Sequence, residues 1–366
     1  MKVVHFGAGN IGRGLIAKLY QENQFEIIFV DVNDKLINEL NQKGFYYVIN
    51  FENGQKYKVR NYFAINLSDE KKLLSHLKNA DLISTSVGSE NLIHLRSIFA
   101  KLAKIEQKTK QIICFENGFR VSSNFRKGLE NCKFWQFVDT TIDQIAPSST
   151  NLNVYTETYS EIILEEENQK IKLKGVKYLE NLDYFILRKL FFVNTLHSGI
   201  AYLAYILNYN YIHEALNSPV IQKYISQLKN LLIKVVSFKN TLTNKSELEV
   251  YFEKTIKRFE NPILQDSIIR VARNPITKIG KNERFNLLLK CAKNAKLKPE
   301  ELEIIYKTFA NILNYDSKQD SQAIKMQENL AKNPEEFLKI QTNLEDFEIK
   351  TVLKFYDNIK GEKKWI

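Results

Sequence analysis

The chain has 366 residues, enough for two domains that each bury a core of their own. Hydrophobic residues make up 44% and charged residues 26%, the balance of a globular protein rather than a disordered or fibrous one. The formal net charge of +11 invites a nucleic-acid reading, but the lysines are dispersed among Asp and Glu with no basic tract, so no nucleic-acid partner is expected.

Val3, Val4, His5 and Phe6 form a short run that leads directly into Gly7-Ala8-Gly9-Asn10-Ile11-Gly12-Arg13-Gly14. That is the layout of a first strand, a phosphate-binding turn and a helix start in a dinucleotide-binding fold. Gly7 permits the tight turn, Gly9 lets a pyrophosphate approach the backbone, and Gly12 lets the helix pack against the strand. The helix start offers unpaired N–H groups and a positive dipole end to the diphosphate. Leu15, Ile16 and Leu19 follow at helical spacing, then a second strand ends in Asp31, 19 residues past Gly12. Its carboxylate stands where such folds hydrogen-bond the adenosine ribose. With Val32 and Asn33 behind it instead of an Arg, it points to NAD rather than NADP.

Further strands are expected at 81–86, 111–115 and 135–139, besides 2–6 and 26–30, with helices at 70–78 and 92–104. The expectation is an α/β fold, an amino-terminal Rossmann-type doubly wound sheet. The third strand ends in Ser86-Val87-Gly88-Ser89, where Val87 is expected at the nicotinamide side, and the fourth ends in Glu116-Asn117-Gly118. Ligands bind at the carboxyl ends of parallel strands, so both turns are placed to touch one. Residues 147–150 punctuate the chain, and 153–164 and 170–176 alternate like antiparallel strands. From about residue 183 the patterns turn helical: 185–207, 219–238, 245–259, 263–273, 285–295, 298–313, 321–331 and 344–356. The expected division is 1–182, a dinucleotide-binding domain with an antiparallel extension, and 183–366, a mostly α-helical catalytic domain.

Cys114, Cys132 and Cys291 are far apart and include no C-x-x-C, which reads as reduced thiols. The best apolar run, 199–207, contains two tyrosines and is too short for a membrane span. The first apolar stretch breaks at Gly7, unlike a secretory leader, so a cytoplasmic location is expected.

A dinucleotide-binding half does not usually supply the acid or base of the reaction. The five histidines and three cysteines include no H-x-x-H or H-x-x-x-H pair, so no metal site is expected. The best candidates for organic acid–base chemistry open the helical domain: Lys189, Asn194 and His197. On a regular helix of about 100° per residue, Asn194 and His197 share a face, while Lys189 lies about 140° from Asn194 and about 80° from His197. Spacing alone leaves two readings open: a surface lysine beside a satisfied core Asn–His pair, or a proton-transfer cluster.

K-x-x-x-x-N-x-x-H, standing as Lys189, Asn194 and His197, resembles the signature of the polyol-specific long-chain dehydrogenases of the mannitol dehydrogenase family. The amino-terminal H-F-G-A-G-N-I-G-R-G is similar to that family as well. Residues 137–147 resemble its V-D-R-I-x-P segment, and Glu116-Asn117 matches its E-N turn. Arg258-Phe259-Glu260-Asn261-Pro262 through Arg270-Val271-Ala272-Arg273 resembles its R-F-x-N-P…R-V-x-R stretch. The resemblance implies metal-free, NAD-dependent oxidation of mannitol 1-phosphate to fructose 6-phosphate, and the reverse. It implies Lys189 as general base and acid, which near neutral pH requires burial or positive neighbours. Asn194 and Asn117 would donate to the developing oxyanion. His197 would hold the substrate oxygen or orient Lys189, and Asp143 would bind polyol hydroxyls or fix the lysine.

A phosphate calls for cationic clamps. Among the basic residues 273, 278, 281 and 284 the expectation falls on Arg273, with Arg258 behind it. Four positions depart from the family pattern: Leu187, Leu196, Gln144 in place of the Arg of V-D-R-I, and Ser148 in place of a second Pro. Alternatives are a sister activity on an unphosphorylated polyol or a hexuronate and, in a different class, a non-catalytic NAD-sensing regulator. The expected assembly is a monomer or small homo-oligomer.

Overall fold

The structure, a computed structural model, describes residues 1–106, 108–147, 151–166, 169–239 and 244–362. Ser148 and its neighbours 149 and 150 lie outside the described residues. The chain divides into two compact units, Met1–Ile186 and Leu187–Ile366.

In the first unit the strands are β1 (Lys2–Phe6), β2 (Glu26–Asp31), β3 (Tyr46–Asn50), β4 (Lys56–Val59), β5 (Tyr62–Asn66), β6 (Leu82–Thr85), β7 (Gln111–Cys114), β8 (Gln136–Val138), β9 (Thr140–Asp143), β10 (Val154–Thr156), β11 (Glu161–Glu165) and β12 (Lys177–Leu179). Six form one sheet in the order β5-β2-β1-β6-β7-β8, parallel throughout. The helices of this unit are α1 (Ala17–Glu22), α2 (Asp34–Lys43), α3 (Glu70–Asn79), α4 (Leu92–Ile105) and α5 (Val121–Arg126). Successive strand side chains point to opposite faces, so each face acquires its own core. Val3 packs with Leu19 and Tyr20 of α1, whereas Val4 and Phe6 pack with Leu73 of α3 and Phe99 of α4. Helices therefore cover both faces, the doubly wound arrangement.

Two three-stranded sheets flank it, β10-β3-β4 and β12-β11-β9. The sequence pattern did not single out β3, β4, β5 or α2. The stretch read as an antiparallel strand at 170–176 forms none; β12 lies just beyond it and pairs parallel with β11. β10 also pairs parallel, with β3; of the strands in the stretches read as antiparallel, β11 alone runs so, against β9, while β3 and β4 pair antiparallel outside them. Alternation reports one buried face but not the direction of the neighbouring strand.

The second unit begins within α6 (Leu182–Lys189), which continues through a π-turn at Leu190–Thr195 into α7 (Leu196–Ile206). After α8 (Ile212–Ala215) come α9 (Pro219–Lys239) and α10 (Lys245–Phe259), close to expectation. The single helix expected at 263–273 is broken. A 3-10 turn at Pro262–Leu264 ends at Gln265, with φ +44°, and α11 (Ile268–Ala272) starts afresh behind the N-cap Ser267. Arg273 and Asn274 then lead to α12 (Pro275–Lys278). Caps and prolines outweigh apolar periodicity here: Asn261 and Ser267 each accept an N–H of a new helical turn, and Pro262 and Pro275 each stand at a helix start. The remaining helices are α13 (Arg284–Asn294), α14 (Pro299–Leu313), α15 (Ser321–Lys332), α16 (Pro334–Gln341) and α17 (Asp346–Glu362). None of the described helices is long and apolar enough to cross a membrane.

Candidate active site

Strand order reverses between β1 and β6, and the crevice of such a sheet opens at the carboxyl ends of those two strands. The Gly7 N–H donates to Val30 O (2.8 Å) and the Ser86 N–H to Phe6 O (2.7 Å), so both turns start as extensions of the sheet. Gly7 has φ +97°, and a Cβ there would stand 2.5 Å from the Ser86 carbonyl oxygen. A Cβ on Gly12 would stand 2.0 Å from Gly7 O, while one on Gly9 would meet nothing within 4 Å. Gly9 is thus the open side of the turn. Behind it the helix starts as a π-turn, Gly12–Ile16, with the Arg13 N–H donating to Gly9 O at 2.9 Å.

A buried hydrogen-bond chain lies under this loop. Tyr20 Oη donates to Ser84 Oγ (2.7 Å), which stands 2.8 Å from His5 Nδ1; His5 Nε2 stands 2.9 Å from Ser86 Oγ, which donates to Gly7 O (3.2 Å). Each hydroxyl has one proton, so this chain has one direction: Ser84 donates to Nδ1, and Nε2–H donates to Ser86. Burial lowers the His5 pKa to about 3, and the ring stays neutral. Arg13 also turns inward. Its guanidinium donates to Ala8 O (2.6 Å), Asn151 O (3.2 Å) and Leu152 O, and contacts Asn10 Oδ1 at 3.4 Å. Val3, Val4, His5, Phe6, Ala8 and Arg13 are buried, so their side chains support the loop rather than being presented by it. Gly9, Asn10 and Ile11 form its accessible part, with Gly14 packed under it against Val154.

Asp31 ends β2 and accepts the N–H groups of Ala8 (2.8 Å), Val32 (2.8 Å) and Asn33 (3.0 Å). Buried Glu116 serves the neighbouring turn, accepting from Thr85 Oγ1 (2.7 Å), Val87 N (2.8 Å) and Gly88 N (2.9 Å). Burial raises its pKa, and those three donors oppose the rise. Asn117 follows on the exposed side of the turn, and Asp143 is buried at the end of β9, opposite Glu161.

In the second unit, the π-turn changes the relation of the three residues singled out by spacing. The Leu196 N–H donates to Phe191 O, five residues back. In a turn that closes five residues on, Lys189 and Asn194 stand one turn apart; a regular helix would separate them by about 140°. His197, just beyond, stacks on Phe259 with ring centroids 4.3 Å apart and planes 14° from parallel. Its Nε2 lies 2.9 Å from Oδ2 of buried Asp266, whose Oδ1 pairs with Arg270. Ser198 Oγ donates to Asn194 O (2.8 Å) and receives Arg284 Nη1 at 3.1 Å.

A group of cations surrounds this histidine. Burial first, and then Arg270, Lys278, Arg258 and Arg284, hold the His197 pKa well below the usual range. Lys278, buried and donating to Val271 O, is itself pushed well down by burial and then by Arg284 and Arg273. Arg258, half-buried at the end of α10, thus belongs to the group, while Arg273 is exposed beside it. Among the described residues, no three or more His, Cys, Asp or Glu side chains are grouped to hold a metal ion.

Residues 1–176 match the family model of the mannitol dehydrogenase Rossmann domain, and 181–363 that of the mannitol dehydrogenase C-terminal domain. The chain belongs to the mannitol dehydrogenase family. It is 39% identical to a mannitol-1-phosphate 5-dehydrogenase of Mycoplasmopsis pulmonis, over 96% of this chain and 98% of that one. It is 38% identical to the enzyme of that name from Mycoplasma pneumoniae, over 84% of each chain. Among solved structures, the Pseudomonas fluorescens mannitol 2-dehydrogenase ternary complex with NAD and D-mannitol shares the fold. It has a TM-score of 0.73 and 12% identity, over 99% of this chain and 92% of that one. A substrate-free D-sorbitol dehydrogenase is similar, with a TM-score of 0.72 and 16% identity, over 99% of this chain and 93% of that one.

Within this mannitol dehydrogenase frame, sequence reasoning passed over Asp266, Phe259 as a stacking partner, buried Lys278, and the partly buried Arg270 and Arg284. One local signal was available. Asp266 and Arg270 are opposite charges four apart in the stretch 263–272, whose other residues are apolar except Gln265 and Ser267, a pattern that suits an ion pair.

Proposed function

We propose that this chain oxidises D-mannitol 1-phosphate at carbon 5 to D-fructose 6-phosphate with NAD, and catalyses the reverse reduction. The observation that carries the reading is the group of cations around Asn194 and His197. Like charges crowded in a partly buried site repel, and an anionic substrate group relieves that repulsion. A phosphate monoester supplies such a group and an unphosphorylated polyol does not. The names of the two Mycoplasmopsis and Mycoplasma relatives support the same substrate class.

The first unit suits NAD. Gly9 leaves open space beside a helix start, where a diphosphate needs it. Asp31 uses three of about four acceptor positions on backbone N–H groups, which leaves one for a ribose hydroxyl and sets a negative charge against a 2′-phosphate. Bound NAD supplies the hydride acceptor. Lys189 Nζ takes the proton of the carbon-5 hydroxyl as that carbon loses hydride; in reverse, its ammonium returns the proton to the oxygen. Asn194 and Asn117 donate side-chain N–H groups to that oxygen as its charge grows. Asp143 accepts from polyol hydroxyls or holds the lysine. Arg258 and Arg273 hold the phosphate, with Arg270, Lys278 and Arg284 completing the positive field.

Steady-state rates with NADH and fructose 6-phosphate, fructose or fructuronate test this reading. Two charge-assisted hydrogen bonds at about 1.5–3 kcal/mol each favour the phosphorylated ketose by roughly 10²-fold or more in kcat/KM. Equal values for fructose and fructose 6-phosphate overturn the sugar-phosphate assignment, and a preference for fructuronate moves the chain to a sister activity.

A further inference from the structure

We infer that Asp266 is a positioning residue that fixes His197 as the Nε2–H tautomer, so that Nδ1 meets the reacting groups as a hydrogen-bond acceptor. The kinetic side of this inference rests on the dehydrogenase reading above; the tautomer itself does not. His197 Nε2 and Asp266 Oδ2 lie 2.9 Å apart, and both atoms are buried without a well-aligned hydrogen bond to each other or to any other described residue. At that distance a lone pair on Nε2 would face and repel a carboxylate oxygen, so the contact is favourable only with the proton on Nε2, which a small turn of either side chain brings into line. Burial and the four surrounding cations keep the ring from taking up a second proton. Nδ1 is therefore left with a lone pair.

Both partners are held in place. The Ile212 N–H donates to Asp266 O (3.0 Å) and the Ile268 N–H to Asn210 O (2.9 Å), so the chain on either side of Asp266 is tied to segment 210–212. Oδ1 is engaged by Arg270, one helical turn on, which leaves Oδ2 for the imidazole. The Phe259 ring lies flat on His197 and resists the half-turn that would exchange its two nitrogens. The break at Gln265 that interrupts the expected helix is what delivers Asp266 to this position, as a buried residue just ahead of the Ser267 cap.

The consequence for the reaction is a division of labour. An imidazole that presents only a lone pair cannot donate to a developing oxyanion. It receives a hydrogen bond, from a substrate hydroxyl or from the Lys189 ammonium, and the oxyanion is left to amide donors. Whether His197 holds the substrate oxygen or orients Lys189, it does so as an acceptor.

Long-range ¹H–¹⁵N spectra of ¹⁵N-histidine-labelled protein test it, because they distinguish a protonated ring nitrogen from one with a lone pair. The chain has five histidines, so loss of one set of signals in His197→Gln assigns the residue. The expected wild-type spectrum has a protonated Nε2 and an unprotonated Nδ1. In Asp266→Asn the amide can turn its NH₂ toward Nε2, which drives His197 to the Nδ1–H form and lowers kcat by roughly 10²-fold or more, with NADH affinity unchanged. Asp266→Glu keeps an acceptor, and is expected to keep the tautomer and part of the activity. A wild-type ring protonated on Nδ1 overturns the inference, whatever the variants do. So does an unchanged kcat in Asp266→Asn. Failure to reduce fructose 6-phosphate would instead remove the proposed reaction and leave the spectrum standing.

Discussion

Replacing Gly12 by Ala sets a methyl group 2.0 Å from the Gly7 carbonyl oxygen, 2.8 Å from His5 Nε2 and 2.9 Å from Ser86 Oγ. None of these neighbours is a flexible side-chain end. The carbonyl belongs to a turn whose N–H is tied to β2, and the other two atoms belong to the buried chain under the loop. Overpacking of this kind costs about 1–3 kcal/mol, and a backbone obstacle places it toward the upper end. For a unit the size of Met1–Ile186, a loss of about 3 kcal/mol lowers Tm by roughly 6–12 °C. Gly9→Ala contrasts with it. Its methyl meets nothing within 4 Å, so stability should stay within about 0.5 kcal/mol of the parent. The same methyl occupies the space a pyrophosphate needs, and a penalty of about 1.4–2.8 kcal/mol raises the NADH Kd roughly 10–100-fold. Scanning calorimetry and NADH fluorescence titration on the two variants separate these effects. An unchanged Tm in Gly12→Ala refutes the packing argument, and unchanged NADH affinity in Gly9→Ala refutes the placement of the diphosphate.

Lys189→Ala is expected to lower turnover by about 10²–10⁴-fold with NADH affinity preserved, measured by single-turnover rates; retained turnover rules the residue out as the base. Stability should fall with acid well above the carboxylate range. His5 has a folded pKa of about 3 against about 6.5 unfolded, so the unfolded chain binds a proton there that the folded chain refuses. That contribution is complete above about pH 6.5 and declines by about 1.4 kcal/mol per pH unit as pH drops toward 3, with His197 acting in the same direction. Urea unfolding at several values between pH 7 and 5 measures the slope, and a flat profile contradicts the buried neutral rings.

The parts of this protein legible in its sequence are those set by local constraints. Gly7, Gly9 and Gly12 report backbone conformation and close approach, and Asp31 reports the end of a strand; each acts within a few residues of its own position. The strands missed at 46–66 had weaker signals. Lys56-Tyr57-Lys58-Val59 alternates, but in a chain rich in lysine a short alternation of that kind does not stand out. The ends of α2 were marked all along, by an Asn33 side chain that accepts the Leu36 N–H and by Gly44 at φ +66°. The surroundings of His197 are a different matter. Phe259, Asp266, Arg270, Lys278 and Arg284 belong to α10, α11, α12, α13 and the turns between them, and only tertiary packing brings them to a ring far earlier in the chain. Periodicity pointed the wrong way for Asp266, because it continued a helix through the break that places this carboxylate.

The two π-turns bear on how the Lys189 motif is read. One follows the phosphate loop at Gly12–Ile16 and the other lies between Lys189 and His197 at Leu190–Thr195. A turn that closes five residues on is uncommon, and it is held here by near-complete burial of its flanks: Leu190, Phe191, Phe192, Val193 and Thr195 are all buried. Asn194 is the one residue of the second turn that is not fully buried. The packing that stabilises the wide turn buries Thr195, whose hydroxyl donates to Leu190 O, and leaves the Asn194 side chain accessible, one turn from Lys189. Counted on a regular helix, five residues put a lysine and an asparagine out of phase, which argues for an ordinary surface residue beside a core pair. Counted on the turn that actually forms, the same five residues put them in phase. That removes the geometric objection to a proton-transfer cluster, and leaves its chemistry to the lysine and histidine variants to decide.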